Sequence, residues 1–293
     1  MTSIDAFAID VPRSTGASLV RAFRANKLAA AGLLMLVAVL AIAAAAPLVA
    51  SYDPAAQDLA HKLMPPSAAH IFGTDEFGRD IWARTVYGAR ISLLIGFAST
   101  AIAVLIGSAI GILAGWYGGR IDALVMQVMD VLLAFPSLIL GMIVVAMLGP
   151  SLTNIILAIA LTSIPPFARI ARAPTIAIKA RDFIEACRSL GFSTPRILVV
   201  HVLPNIMAEI LVMGALWLAN AIRTEASLAF IGLGLKPPIP TWGGMIREGF
   251  DNILDNAWLA LVPGCAVLAV IFALNLIGDG LRDAIDPKLR DGT

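Results

Sequence analysis

The sequence predicts an all-α polytopic membrane protein with six transmembrane helices and both termini in the cytoplasm. Three observations carry this. Of its 293 residues, 59% are hydrophobic and only 14% are charged, whereas a soluble domain has about 45–50% and about 25%. The apolar residues fall into nearly uncharged blocks close to the ~20 residues that a helix needs to cross a hydrocarbon core of ~30 Å. The segments between the blocks share the basic residues unevenly, and Lys and Arg mark the cytoplasmic side. A net charge of +1 gives no global basic field, so a nucleic-acid partner is not expected.

The elements follow in order. Residues 1–27 form a cytoplasmic tail with Arg13, Arg21, Arg24 and Lys27 against Asp5 and Asp10. The block 28–50 is the first span, too long and too far into the chain for a cleaved signal peptide. Residues 51–90, with four basic and five acidic side chains, lie outside. The span 91–116 follows, then 123–148, in which Asp130 is the one charged residue. The block 154–167 is short unless it extends past Arg169. It is kept as a span because otherwise the loop 169–205, with six basic residues against Asp182 and Glu185, would face outward. The span 206–235 contains Glu209, Arg223 and Glu225, and residues 236–258 form an acidic, Pro- and Gly-rich outer connector. The last span is 257–277, and residues 281–293 return to the cytoplasm. Residues 91–280 thus make a five-helix core that encloses the loop 169–205.

Interfacial aromatics support these ends: Trp82 and Tyr87 precede the second span, Trp116 and Tyr117 close it, and Trp258 opens the sixth. Gly107, Gly111 and Gly115 recur every four residues, so one helix face is open to close approach by a second backbone.

No GxxxxGK[ST] loop, HExxH or GxSxG motif occurs, so enzymatic function is not expected. Cys187 and Cys265 are read as small packing residues, and His61, His70 and His201 are too scattered for a metal site. On the residues alone, a secondary transporter, a channel, a receptor and a non-conducting assembly subunit all stay open.

The informative stretch is 180–205. Asp182 suits a helix start. Phe183, Ile184, Ala186, Cys187 and Leu190 give that helix an apolar side, with Glu185 and Arg188 polar. Gly191 suits the helix C-terminus, Ser193 or Thr194 before Pro195 starts a second helix, and Pro204 marks the next boundary. Two short helices hinged at Gly191, presenting apolar and basic residues to the cytosol, look made to dock into another protein.

Glu185-Ala186-Cys187, three residues to Gly191, and nine more to His201-Val202-Leu203-Pro204 resemble the EAA loop of bacterial ABC importer permeases. Cys187 stands where that motif has a second alanine and His201 where it has isoleucine. Four further stretches resemble the C-type subunit of the dipeptide, oligopeptide and nickel branch. They are Gly73-Thr74-Asp75-Glu76-Phe77-Gly78-Arg79-Asp80, Tyr87-Gly88-Ala89-Arg90-Ile91-Ser92-Leu93, Glu225-Ala226-Ser227-Leu228 through Trp242-Gly243, and Asn275-Leu276-Ile277-Gly278-Asp279-Gly280-Leu281-Arg282-Asp283.

The resemblance implies a type I ABC importer permease fold in the bacterial cytoplasmic (inner) membrane. It implies a second homologous permease, two cytosolic ATPases that carry ATP and Mg, and an extracytoplasmic solute-binding protein. The chain itself is expected to bind no cofactor and no metal. Asp182, Phe183, Glu185, Ala186, Cys187, Arg188, Leu190 and Gly191 are the expected ATPase-coupling residues, and di- or oligopeptides, or related small solutes, the expected cargo. Ionisable residues cost ~2.5–3.5 kcal/mol at a membrane helix centre. Glu209, one turn past Pro204, is read as interfacial. Asp130, Arg223, Glu225 and the motif residue Asn275 are assigned to the translocation pathway or the partner interface. Arg223 and Glu225, two apart, do not share a helix face.

Overall fold

A computed structural model describes residues 26–285; the tail expected at 1–27 and the end of the one at 281–293 lie largely outside them. Helix α1 (Lys27–Ala44) is capped by Asn26, whose side chain accepts from the amides of Leu28 and Ala29. A short turn, α2 (Ala46–Val49), completes it. The outer segment then runs to Asp80, which accepts from the Ala83 amide and starts α3 (Ile81–Tyr117). At 37 residues this helix is longer than the span read as 91–116, because its first turns fall within the segment read as 51–90.

The expected third span, 123–148, is not one helix. It is broken into α4 (Gly119–Ala134) and α5 (Ser137–Leu148), bent by 89°. Pro136 is the cause, since it lacks an amide hydrogen and forces the residue before it out of the helical region; Phe135 is extended at ψ 133. Among the described residues, five helices are long and apolar enough to cross a membrane, or six if the bent pair is one span.

The fourth span is longer than its apolar block. Helix α6 (Leu152–Lys179) starts at a Ser151 cap and runs through Pro165, Pro166 and Pro174 for 28 residues. The segment 169–179, read as loop, is therefore helix. The hydroxyls of Thr162, Ser163 and Thr175 donate to carbonyls one turn back, an adjustment that proline-bearing membrane helices share. Two short helices follow, α7 (Asp182–Ser189) and α8 (Thr194–Ile197). Pro204 does not end a helix as expected. A wide π turn at Leu198–Val202 leads directly into α9 (Leu203–Leu228), and the wider turn relieves the clash between a proline ring and the carbonyl four residues back. Helices α10 (Trp242–Asp251), capped by Thr241, and α11 (Trp258–Ile285) complete the described residues.

The long helices pack in a bundle centred on α3 and α6. The three glycines predicted to admit a neighbour do so: a Cβ on Gly107 would lie 2.6 Å from the Ile164 carbonyl oxygen, and one on Gly115 2.9 Å from that of Arg172. At Gly111 it would overlap the Ala168 carbonyl outright. One apolar core joins Leu93, Ile222, Trp242, Val270 and Leu274 from α3, α9, α10 and α11. A second, at the far end, joins Ile112, Trp116, Ile178, Ile184, Cys187 and Ile197. That second core carries the two short helices.

Candidate functional site

The chain leaves α6 at Lys179, whose ammonium donates to the Trp116 carbonyl at 2.5 Å, so the ends of α6 and α3 are tied together. Arg181 is extended at ψ 145 and turns the backbone into α7. Asp182 is the first helical residue rather than the capping side chain expected; no side chain caps this helix. Its charge acts instead on the helix dipole, with Asp182 and Glu185 in the first turn and Arg188 in the last.

Helix α7 ends in a motif that favours glycine. The Gly191 amide donates to the Arg188 carbonyl at 2.9 Å and the Phe192 amide to the Cys187 carbonyl at 3.0 Å, the paired bonds of a Schellman cap. Gly191 has φ +78, and a Cβ there would meet nothing within 4 Å. The requirement is backbone conformation, not space.

The apolar residues of α7 do not form one side, as read from the sequence, but two stripes. Ile184 is fully buried and Cys187 nearly so, both in the core beneath. Phe183, Ala186 and Leu190 point outward with Glu185 and Arg188, and Leu190 is 74% exposed. Beside them lies an open hollow of about 550 Å³, lined by Lys179, Ala180, Arg181, Glu185, Arg188 and Ser189. Arg188 lies 4.6 Å over the Trp116 ring and Arg196 4.5 Å over Phe192. His201, the departure from the motif, stacks at 6.3 Å on Phe192 and tilts at 6.5 Å to Phe183. Cys187 packs as expected; Cys265 is exposed on α11.

The intramembrane candidates separate. Asp130 pairs with Arg169, and Asp122 pairs with Arg172 at 2.5 Å, so two ion pairs join α4 to α6. Arg223 donates to Asn220 on the same helix at 2.5 Å and is exposed; Asn275 and Glu209 are also exposed. Glu225 is 2% exposed and points the other way from Arg223, beside the Ser92 and Thr241 hydroxyls. Within this chain it is buried between α3 and the start of α10.

Sequence reasoning missed a buried charge cluster in the outer segment. Asp75 receives Arg79 Nε at 2.6 Å and Arg84 at 2.6 Å, and Arg84 reaches Glu248 on α10 at 2.8 Å. Burial pushes the Asp75 and Glu248 carboxyls above their ordinary values, opposed by the Arg84 charge. The cluster clamps the Gly73–Asp80 motif to the connector, whose residues 242–251 form a docked helix. Arg90 likewise donates to the Ala43 and Ala44 carbonyls at 2.5 and 2.7 Å, satisfying the C-terminus of α1. The signal was present in the spacing of Asp75, Arg79 and Arg84, but pairing with a residue more than 160 positions away leaves no local trace.

Residues 107–291 match the family described as binding-protein-dependent transport system inner membrane component. Residues 14–66 match the N-terminal transmembrane domain of oligopeptide transport permease C. The chain is 43% identical over 265 residues to the dipeptide transport system permease protein DppC of Alkalihalophilus pseudofirmus, covering 90% of this chain and 87% of that one. It is 41% identical over 276 residues to the probable D,D-dipeptide transport system permease protein DdpC of Escherichia coli, covering 94% and 93%. It is 40% identical over 268 residues to the oligopeptide transport system permease protein OppC of Bacillus subtilis, covering 92% and 88%. An inward-facing structure of the MetNI methionine ABC transporter shares the fold, with a TM-score of 0.58 and 18% identity over 70% of this chain and 98% of that one. With these matches over an all-helical, multi-pass architecture, the chain belongs to the family of binding-protein-dependent transport system inner membrane components, the permease subunits of ABC importers.

Proposed function

We propose that this permease conducts di- or oligopeptides, handed down by an extracytoplasmic binding protein, through a path formed with a second homologous permease. The names of the relatives support the solute class. The observation that carries the mechanism is the division of α7. Ile184 and Cys187 root the helix in the bundle, while Phe183, Ala186, Leu190 and Glu185 are left free on its outer side.

In this reading the outer stripe seats in a groove of one of two cytosolic ATPases, which hold ATP and Mg; the permease needs no cofactor of its own. Closure of the ATPases moves α7. Its core contacts with Trp116 and Ile178 pass the displacement to the ends of α3 and α6. Because Gly107, Gly111 and Gly115 press these two helices backbone to backbone, they turn as one body, a rigid-body switch of known type. The excess of basic residues in 169–205 supports a cytoplasmic side for α7 and both termini in this reading.

The test is copurification of the ATPases with detergent-solubilised permease, compared between wild type and Ala186→Asp. Wild type is expected to retain them and Ala186→Asp to lose them while its melting temperature is unchanged. Equal retention would overturn the assignment of the outer stripe.

A further inference from the structure

The two ion pairs between α4 and α6 are in an unusual place. Both helices belong to membrane-length apolar stretches, yet the Arg169 and Asp130 side chains are 53% and 56% exposed. An exposed ion pair facing lipid costs several kcal/mol, so this face is turned to water or to protein. Met126, Asp130, Arg169 and Arg172 line a hollow of about 350 Å³, within the ~300–1,000 Å³ range of small-ligand sites.

A second observation points the same way. Less than two turns beyond Asp130, the chain breaks at Phe135 and Pro136 and bends by 89°. Both residues are exposed, and the last amide of the break, that of Phe135, reaches the Leu132 carbonyl at only 3.4 Å. Irregular backbone at membrane depth is tolerated where it lines a water-filled cavity or is buried in protein, and solute sites in membrane proteins recur at such interruptions.

We propose that this charge ladder lines the aqueous path and that Arg169 and Asp130 take the two charged ends of a zwitterionic solute. The inference rests on the peptide-importer reading and names the group that the path recognises. A free carboxylate suits the planar guanidinium of Arg169, and a free ammonium suits Asp130. A solute with only one charge satisfies one partner and leaves the other stranded; a zwitterion replaces the internal pair with no change in net charge. Arg172, held by both Asp122 oxygens at 2.5 Å, stays engaged and supports the hollow from its cytoplasmic side.

The experiment uses the whole importer in membrane vesicles, with the exposed Cys265 replaced by Ser, the buried Cys187 retained, and Met126→Cys as the probe. A membrane-impermeant thiol reagent is added from the cytoplasmic side, alone, with dialanine, or with N-acetyl-dialanine amide, which carries neither charge. The expected result is labelling that dialanine slows several-fold and the blocked analogue does not. Gln127→Cys, on the neighbouring exposed position of α4, repeats the measurement if Met126→Cys does not assemble. No labelling means that the second permease or lipid covers the face, and equal or no protection by the two peptides means that the charges do not read the solute. Either result overturns the proposal. Peptide uptake by the same vesicles keeps the two readings apart: uptake with an unlabelled probe overturns only this inference, whereas no peptide uptake by the wild-type importer overturns the importer reading itself.

Discussion

The Arg188 guanidinium lies 4.6 Å above the indole of Trp116, so the last turn of the exposed helix α7 rests on the last turn of α3. Trp116 also receives Lys179 on its carbonyl. One residue at the end of α3 therefore joins α6, α3 and α7. Arg188→Ala is expected to loosen α7 by about 0.5–1 kcal/mol, the worth of an exposed cation–π contact. Uptake should fall while ATPase copurification persists, as measured by transport in vesicles. Arg188→Lys, which keeps the charge, should retain most uptake.

The cap at Gly191 gives a graded series. Its φ of +78 costs an ordinary L-residue roughly 1–2 kcal/mol. Gly191→Asn is expected to be mildest, Gly191→Ala intermediate and Gly191→Pro most severe, since proline cannot adopt a positive φ. Membrane insertion should be the same in all three. Uptake normalised to expression reports the order; an Ala variant worse than Pro would contradict the conformational reading.

The contact of α3 with α6 leaves no room at Gly111, where any Cβ meets the Ala168 backbone. Gly111→Ala is expected to cost about 1–3 kcal/mol, the usual range for overpacking, seen as a lower melting temperature in detergent. Gly191→Ala, with open space around it, should show no such loss of bundle stability.

The outer clamp predicts unequal effects for its acids. Asp75 is fully buried and holds both arginines, whereas Glu248 is partly exposed. Removing one partner of a buried pair costs about 3–5 kcal/mol. Asp75→Ala is therefore expected to exceed Glu248→Ala in thermal destabilisation, and both should make residues 51–80 more sensitive to protease applied from outside.

Glu225 gives a prediction of the opposite kind. It is enclosed beside Ser92 and Thr241, its Oε2 is buried without a hydrogen-bond partner, and Gln has the same shape without the charge. Glu225→Gln is expected to transport like wild type, and Glu225→Leu to lower stability. A selective loss of uptake in Glu225→Gln, with stability intact, would place this residue in the pathway.

The legible parts of the fold were those written in local pattern. The glycine series at 107, 111 and 115 announced a close helix pair, and Gly191 with Pro195 announced two short helices. Proline misled in both directions: Pro204, read as a boundary, lies within a continuous helical run as Pro165 does, whereas Pro136 breaks an apolar block that looked uniform. The difference lies in what surrounds each proline, a π turn or hydroxyl donors in one case and an extended Phe135 in the other, and composition does not report it. The stripes of α7 were half legible. Phe183 and Ile184 are equally apolar, and only the core formed by Ile178, Ile197 and Trp116 decides which faces inward. The ion pairs Asp130–Arg169 and Glu248–Arg84 join segments distant in the chain, so each charge was visible and its partner was not.

The central claim is that the outer stripe of α7 passes the ATPase movement to the bundle. Its most direct test is binding-protein-stimulated ATP hydrolysis and peptide uptake by the reconstituted importer carrying Ala186→Asp. The expected result is loss of uptake and of stimulation, with the permease inserted at its normal level and melting as wild type does. Full stimulation and full uptake at that level would contradict the claim.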